Sequence, residues 1–532
     1  MMLDKIKGLD DWSALESELI ARAPLGEWAV LPGKSDRPAD ATDPARRVRA
    51  GLIRFLLKGG DDTCSTHAKG VMLSGAWVSG DLDFQGEKTR LGLMLQQCRL
   101  TGPVVFKDAE LREIDLLGSF AEETVVLERV EIKTDIRLSD GFEAARGVNL
   151  RGALIGKELD CEGGTFKPDG EGVALNCNAL LTGASVFLRE GFRTTGRVEF
   201  LRATIKGNLN INRASIDGVF RASSTMVENA LIWRLVYGCR PVVNLRNARI
   251  GVLRDDKASW DGARRVFLDG LTYDRIDSDM TVEQRLALLA RNEKGVWNND
   301  TNDYDPPSAR DGTFFQPHPY TQLARALAVS GDRLGVAKVR EAREELSSKA
   351  KWARAKQERR NTPKLLLWLI FPAVFLYFKP AMRRGFEWTL WVMFGHGHRP
   401  ARALWWVAAT WFVAFVLYFI TYKTGQMAPN SAVILTSDEW QAALAMGGNP
   451  LPHWLASETA KDYETFSASL YALDLFLPLD AIGQESAWAP SHHRGFWGCV
   501  GYWARLPIQL AGWFVVAVGA AVLTGHVGKS GE

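Results

Sequence analysis

Leu138-Ser-Asp-Gly-Phe142 followed by Val148-Asn-Leu150-Arg-Gly-Ala153-Leu-Ile155 is answered roughly fifty residues later by Leu188-Arg-Glu-Gly-Phe192 and Val198-Glu-Phe200-Leu-Arg-Ala203-Thr-Ile205. A sentence written twice at fixed spacing marks a repeat architecture. In each copy apolar residues fall two apart, a small residue follows three later, and another apolar residue comes two after that. This is strand alternation around a tight corner, not helical spacing. The stretch predicts coils of a β-solenoid.

Working outward, the same unit recurs as Val71-x-Leu73-x-x-Ala76-x-Val78, Val104-Val-Phe106-x-x-Ala109-x-Leu111, Leu209-x-Ile211-x-x-Ala214-x-Ile216 and Val243-x-Leu245-x-x-Ala248-x-Ile250. The small residue two before an apolar one resembles the pentapeptide-repeat pattern, interrupted by insertions at Lys167 to Gly172 and Ala222 to Cys239. Glycines at Gly75, Gly80, Gly152, Gly156 and Gly207 fall between strands, where a corner needs positive φ or close backbone approach. Cys98 and Cys161 occupy core positions, and none of the six cysteines forms a Cys-x-x-Cys pair, so packing is their expected role.

The predicted fold is mixed: a right-handed β-helix over residues 68–276, preceded by a helical cap over 1–67 and followed by an α-helical connector over 277–362. A cap is required because the first coil would otherwise present an unpaired edge and an apolar end. In the connector, Val282 to Ala290 reads as a helix and Asn298 to Ser308 as a polar loop. Pro319 to Gly331 and Val336 to Glu345 read as one helix-turn-helix unit resembling a tetratricopeptide repeat.

Composition changes sharply in the last third. The 532 residues carry a net charge of +3 and 19 Trp, with two apolar runs, 403–422 and 506–525, of membrane-spanning length. Basic residues (Lys379, Arg383, Arg384, Arg399, Arg402) precede the first run, and acids (Asp438, Glu439, Glu458, Asp462, Glu464) dominate between the runs. That asymmetry predicts a two-span transmembrane domain over 403–526 with both termini and the solenoid in the cytoplasm. Before it, residues 363–402 hold a shorter apolar run, 365–378, broken by Pro372. An interfacial helix is expected there, with Lys351, Arg354, Arg359, Arg360, Lys364 and Trp368 against the lipid surface; a kinked third span is the alternative.

Between the runs, Phe466 to Leu477 reads as an apolar half-helix ending at Pro478, followed by a turn with small residues. Two spans enclosing a half-helix and turn have the layout of a pore-loop cation channel, and Asp474, Asp480, Gly483, Gln484 and Glu485 would be its ion pathway. The competing interpretation is an interfacial anchor with Asp474 solvated or paired. A channel would require a homo-oligomer, since two spans alone enclose no path.

Other chemistry finds no footing. His396-x-His398 and His492-His493 fall on opposite sides of the first span, and Gly528-Lys-Ser530 lacks the earlier glycine and strand of a phosphate loop. Asp300-x-Asn302-Asp303-x-Asp305 breaks at Pro306-Pro307 with no closing Glu. No catalytic, cofactor or metal residue is assigned, and no nucleic-acid partner is expected.

At Pro317-His-Pro-Tyr-x-Gln-Leu-Ala324, Gly395-His-Gly-His-Arg-Pro-x-Arg-Ala-Leu404 and Tyr471-Ala-Leu-Asp-Leu-Phe-Leu-Pro-x-Asp-x-x-Gly-Gln-Glu485 the chain resembles a bacterial family of β-solenoid, pentapeptide-repeat-like proteins with two carboxy-terminal transmembrane helices. The resemblance covers most of the chain and implies a multi-pass protein of the bacterial inner membrane. Members are often labelled membrane-associated oxidoreductases, which would imply a cofactor, but no catalytic residue transfers because no matching motif is present. The function expected is a membrane-anchored scaffold or binding protein that takes a cytoplasmic protein on the solenoid and could also gate an oligomeric pore, with a two-span pore-loop cation channel or an oxidoreductase as the alternatives.

Overall fold

The computed structural model describes residues 11–292, 296–298, 303–305, 315–361, 401–477 and 482–523. The chain forms two compact units, Met1–Arg343 and Glu344–Glu532.

The first unit is a parallel β-solenoid of about nine turns. Each turn carries four short strands, so Ile136–Arg137, Glu143–Ala144, Val148–Asn149 and Leu154–Ile155 are the four sides of one coil. Each strand pairs in parallel with its counterpart one coil later, as Leu154 with Leu181 and Ile155 with Thr182. The alternating apolar residues fill the interior, where Val148, Leu150, Ala153 and Ile155 are all buried. Aromatic rings stack from coil to coil inside: Phe142, Phe166 and Phe192 have centroids 5.6 and 5.2 Å apart, and Phe220, Trp233 and Trp260 continue at 5.2 and 5.7 Å.

The corners follow a rule. Asn149 Oδ1 accepts the Arg151 N–H at 3.1 Å, and Gly152 then turns with φ of +68°. Asn176, Asn210 and Asn244 do the same, but the left-handed residues that follow are Ala179, Arg213 and Asn247. The side-chain oxygen replaces a backbone acceptor at the bend. Glycine is therefore needed at only some corners. Gly156 and Gly183 serve close approach instead, since a Cβ there would lie 2.1 Å from Lys133 O and 2.0 Å from Gly156 O. The insertion at 167–172 is absorbed by a bulge at Val173/Leu175, and that at 222–239 by lengthening one strand to Met226–Trp233.

Both ends are closed. Helix α1 (Ala14–Arg22) starts at a capping box in which Ser13 and Glu16 satisfy one another's backbone N–H groups. Strand Arg47–Arg49 then pairs with Trp77–Ser79 and covers the sheet edge, while α2 (Ala50–Leu57) buries Leu52, Ile53, Leu56 and Leu57. Glu16 joins these pieces, accepting from Arg49 N, Nε and Nη2 at 2.8 Å each. Burial opposes its ionisation, yet the hydrogen bonds from Arg49 and Ser13 outweigh it and hold the carboxyl below its ordinary value. At the other end, α3 (Val282–Ala290) sends Arg285 to the fully buried Asp255 in a two-pronged pair, and the Trp260 indole donates to the same carboxylate at 2.7 Å. Helix α4 (His318–Val329) lies on the last strand through Gln322, and a turn at Gly331 leads into α5 (Arg333–Asn361).

One expectation needs correcting. The stretch read as a polar loop, Asn298 to Ser308, carries a strand, Asp303–Asp305, which pairs antiparallel with Val296–Asn298.

The second unit contains α6 (Ala401–Lys423), α7 (Ala468–Phe476), α8 (Gln484–Ala487) and α9 (Phe496–Leu523). The segment between α6 and α9 is more than a loop with one half-helix. Met427–Pro429 pairs with Trp488–Pro490, and short helices between Ala432 and Lys461 bury Trp440 and Trp454 beside Phe466 and Trp488. The short helices escaped periodicity because none repeats an apolar stripe long enough to register.

Candidate functional site

The half-helix α7 packs against both long helices. Trp411 of α6 donates its indole N–H to Ser469 O at 3.1 Å, and the rings of Tyr418 and Tyr471 meet edge to face at 4.7 Å. On the other side, a Cβ at Gly512 of α9 would stand 1.9 Å from Phe476 O, so glycine lets α9 approach the end of α7. Tyr418 Oη donates to Gly501 O at 3.1 Å, joining α6 directly to α9.

Within this frame the predicted ion-pathway residues come together, but as partners of one another and of the backbone. Asp474 is buried, and its oxygens accept the Ile482 N–H at 3.3 Å and the Glu485 N–H at 2.8 Å. The carboxylate thus caps the start of α8, taking donors that no helical carbonyl can reach. Gly483 holds φ of +77° immediately before α8. Gln484 is buried and accepts from Ser467 N at 3.0 Å while donating to Glu464 Oε1 at 2.8 Å and Thr465 O at 3.1 Å. Glu485 accepts from Arg505 Nη2 at 2.8 Å and Gln509 Nε2 at 2.6 Å. Asp480 lies outside the described residues.

Arg505 and Gln509 were not selected from sequence as site residues. Their i, i+4 spacing puts both on one face of α9, and that was the available signal. The hydroxyl of fully buried Tyr471 has no hydrogen-bond partner among the described residues. Farther along, Arg494 lies 5.2 Å over the Trp440 ring, and burial lowers its pKa. The His492 and His493 rings are 4.8 Å apart, and His492 Nε2 accepts the Trp503 indole N–H at 3.3 Å. Among the described residues no group of three or more His, Cys, Asp or Glu is arranged to hold a metal ion.

The outward faces of α6 and α9 have a different character. Trp405 is 80% exposed, Phe412 57% and Val413 66% on α6, with Trp503, Leu506 and Trp513 similarly open on α9. Among the described residues one helix, Trp405–Lys423, is long and apolar enough to cross a membrane by length and composition, and only 17% of its apolar window is buried. Of the predicted lipid-contact residues, Lys351 is exposed on α5. Arg354, Arg359 and Arg360 fall on the α5 backbone with side chains outside the described residues, as are Lys364, Trp368 and the run 365–378.

No protein family, curated protein or solved structure matches the chain.

Proposed function

We propose that this protein is a membrane-anchored scaffold, with α6 and α9 as two spans in a bilayer and the β-solenoid as a cytoplasmic docking body. The observation that carries the proposal is the low burial of Trp405–Lys423. A core helix of a water-soluble domain buries its apolar side chains. Contiguous apolar surface of this extent needs lipid or protein to cover it. The 23 residues of α6 extend about 34 Å at 1.5 Å per residue, against a hydrocarbon layer of about 30 Å. The basic flank before α6 and the acidic segment after it favour an inside amino terminus.

A scaffold is preferred over a channel because the described acids at the α7–α8 turn, Asp474 and Glu485, have partners within the fold. Asp474 caps a helix and Glu485 meets Arg505. A lining for cations would present such carboxylates to water.

The test is expression of the full chain in bacteria, with alkaline carbonate extraction of membranes and labelling of exposed Cys239 from each side. Retention in the carbonate pellet, with Cys239 labelled only after the membrane is opened, is the expected result. Release into the carbonate supernatant would remove the membrane reading.

A further inference from the structure

One side of the solenoid carries a groove of about 330 Å³ on five successive coils, from Glu110 to Lys206. Its floor follows from register. Glu131, Leu154, Leu181 and Thr204 stack as one outward column, and two residues later Lys133, Gly156, Gly183 and Lys206 stack as the next. Gly156 and Gly183 cannot carry a Cβ, because each would drive it into the carbonyl of the coil before. The glycine column is therefore a notch, bounded at each end by a lysine. Beside it, Leu154 and Leu181 are 41% and 38% exposed, and Met226, two coils beyond Leu181 in the same column, is 39% exposed.

The two lysines are three coil steps apart, about 14 Å at 4.8 Å per step. Neither has an acidic partner among the described residues, although neighbouring columns are laced with ion pairs such as Arg129 to Asp108 and Arg213 to Glu190. Glu110, which pairs with Lys88, and Glu131 precede Leu154 in the apolar column, so the acid-accepting side is the glycine column with its two lysines.

We infer that this groove docks an extended segment of a partner protein in which two acidic residues four apart bracket an apolar residue. Four residues of extended chain span about 13 Å at 3.3 Å each, which matches the lysine separation. The apolar residue lies on Leu154 and Leu181, where exposed methyl groups lose water on contact. The extended backbone fits the notch because no side chain fills it. This docking rests on the scaffold reading and names the partner chemistry it requires.

The experiment uses the full chain in lipid nanodiscs and fluorescein-labelled ten-residue peptides. One set has Glu four apart around a central Leu, Ile, Val, Phe or Met, and a matched set has Lys in place of Glu. Saturable binding of at least one Glu peptide is expected. It should weaken at least about tenfold in the Lys133→Glu/Lys206→Glu variant, which should instead take the Lys peptides. Leu181→Ser should weaken both pairings. Failure of every Glu peptide to saturate, or equal binding to wild type and the double variant, overturns the groove. Carbonate extraction of the same preparations separates the two readings: retention without peptide binding refutes the groove alone, and extraction refutes the membrane anchor whatever the peptides do.

Discussion

Replacing Glu16 by Ala should loosen the first coil of the solenoid without disturbing the far end. Glu16 is 1% exposed and accepts four hydrogen bonds, three from Arg49 and one from Ser13. Removing one partner of a buried pair costs about 3–5 kcal/mol. The lower end applies, since Arg49 keeps 15% side-chain exposure and its guanidinium still lies 4.6 Å over Trp12. About 3 kcal/mol corresponds to a little over a hundredfold in a local opening equilibrium. Hydrogen exchange followed by mass spectrometry on the full chain should show that acceleration in Gly70–Ser74 and Trp77–Ser79, with Val219–Arg221 unchanged. The pH dependence has a definite sign. The folded carboxyl lies below the ordinary 4.5, so its stabilisation is complete above that value and is lost as pH falls through the folded pKa. Glu16→Gln should abolish the acid-dependent part of the loss. Unchanged exchange in the first coil of Glu16→Ala would refute the assignment of Glu16 as the tie between cap and solenoid.

Arg285→Met should lower the melting transition strongly, because Asp255 is left fully buried without its cationic partner, whereas Asp255→Leu combined with Arg285→Met should recover most of it by thermal melting. In planar bilayers, any conductance of the purified protein should be the same in Glu485→Ala as in wild type; a conductance abolished by that change would restore the channel reading. Native maleimide labelling should modify Cys239 and spare Cys98, Cys161 and Cys177, whose thiol pKa values burial raises, that of Cys98 to about 12.

The solenoid was legible because its interior repeats at period two, and every coil restates the pattern. Corner chemistry was only half legible. Glycines announce a bend, whereas Ala179, Arg202 and Arg213 in the left-handed region do not, and the Asn three residues before two of them is a weak signal alone. Long-range partners were not legible at all. The capping box of Ser13 and Glu16 is local, but nothing in the sequence around it indicates Arg49, which arrives 33 residues later. In the candidate site, the cluster of Asp474, Gln484 and Glu485 was visible, and its role was not. Whether a carboxylate faces water or caps a helix depends on where the chain folds back, and the Asp474 to Glu485 hydrogen bond closes that turn.

The coil-on-coil register has an evolutionary consequence. Each strand bonds only to the coils above and below it, so gaining a turn replaces one interface by two, losing a turn replaces two by one, and both closed ends remain as they are. The span between Lys133 and Lys206 is set by counting turns. Excising one of the glycine-bearing turns would shorten it by about 4.8 Å, and duplicating one would lengthen it equally. Descendants of this chain could therefore change the length of motif they accept by quantised steps, through recombination within the repeat rather than by point substitution.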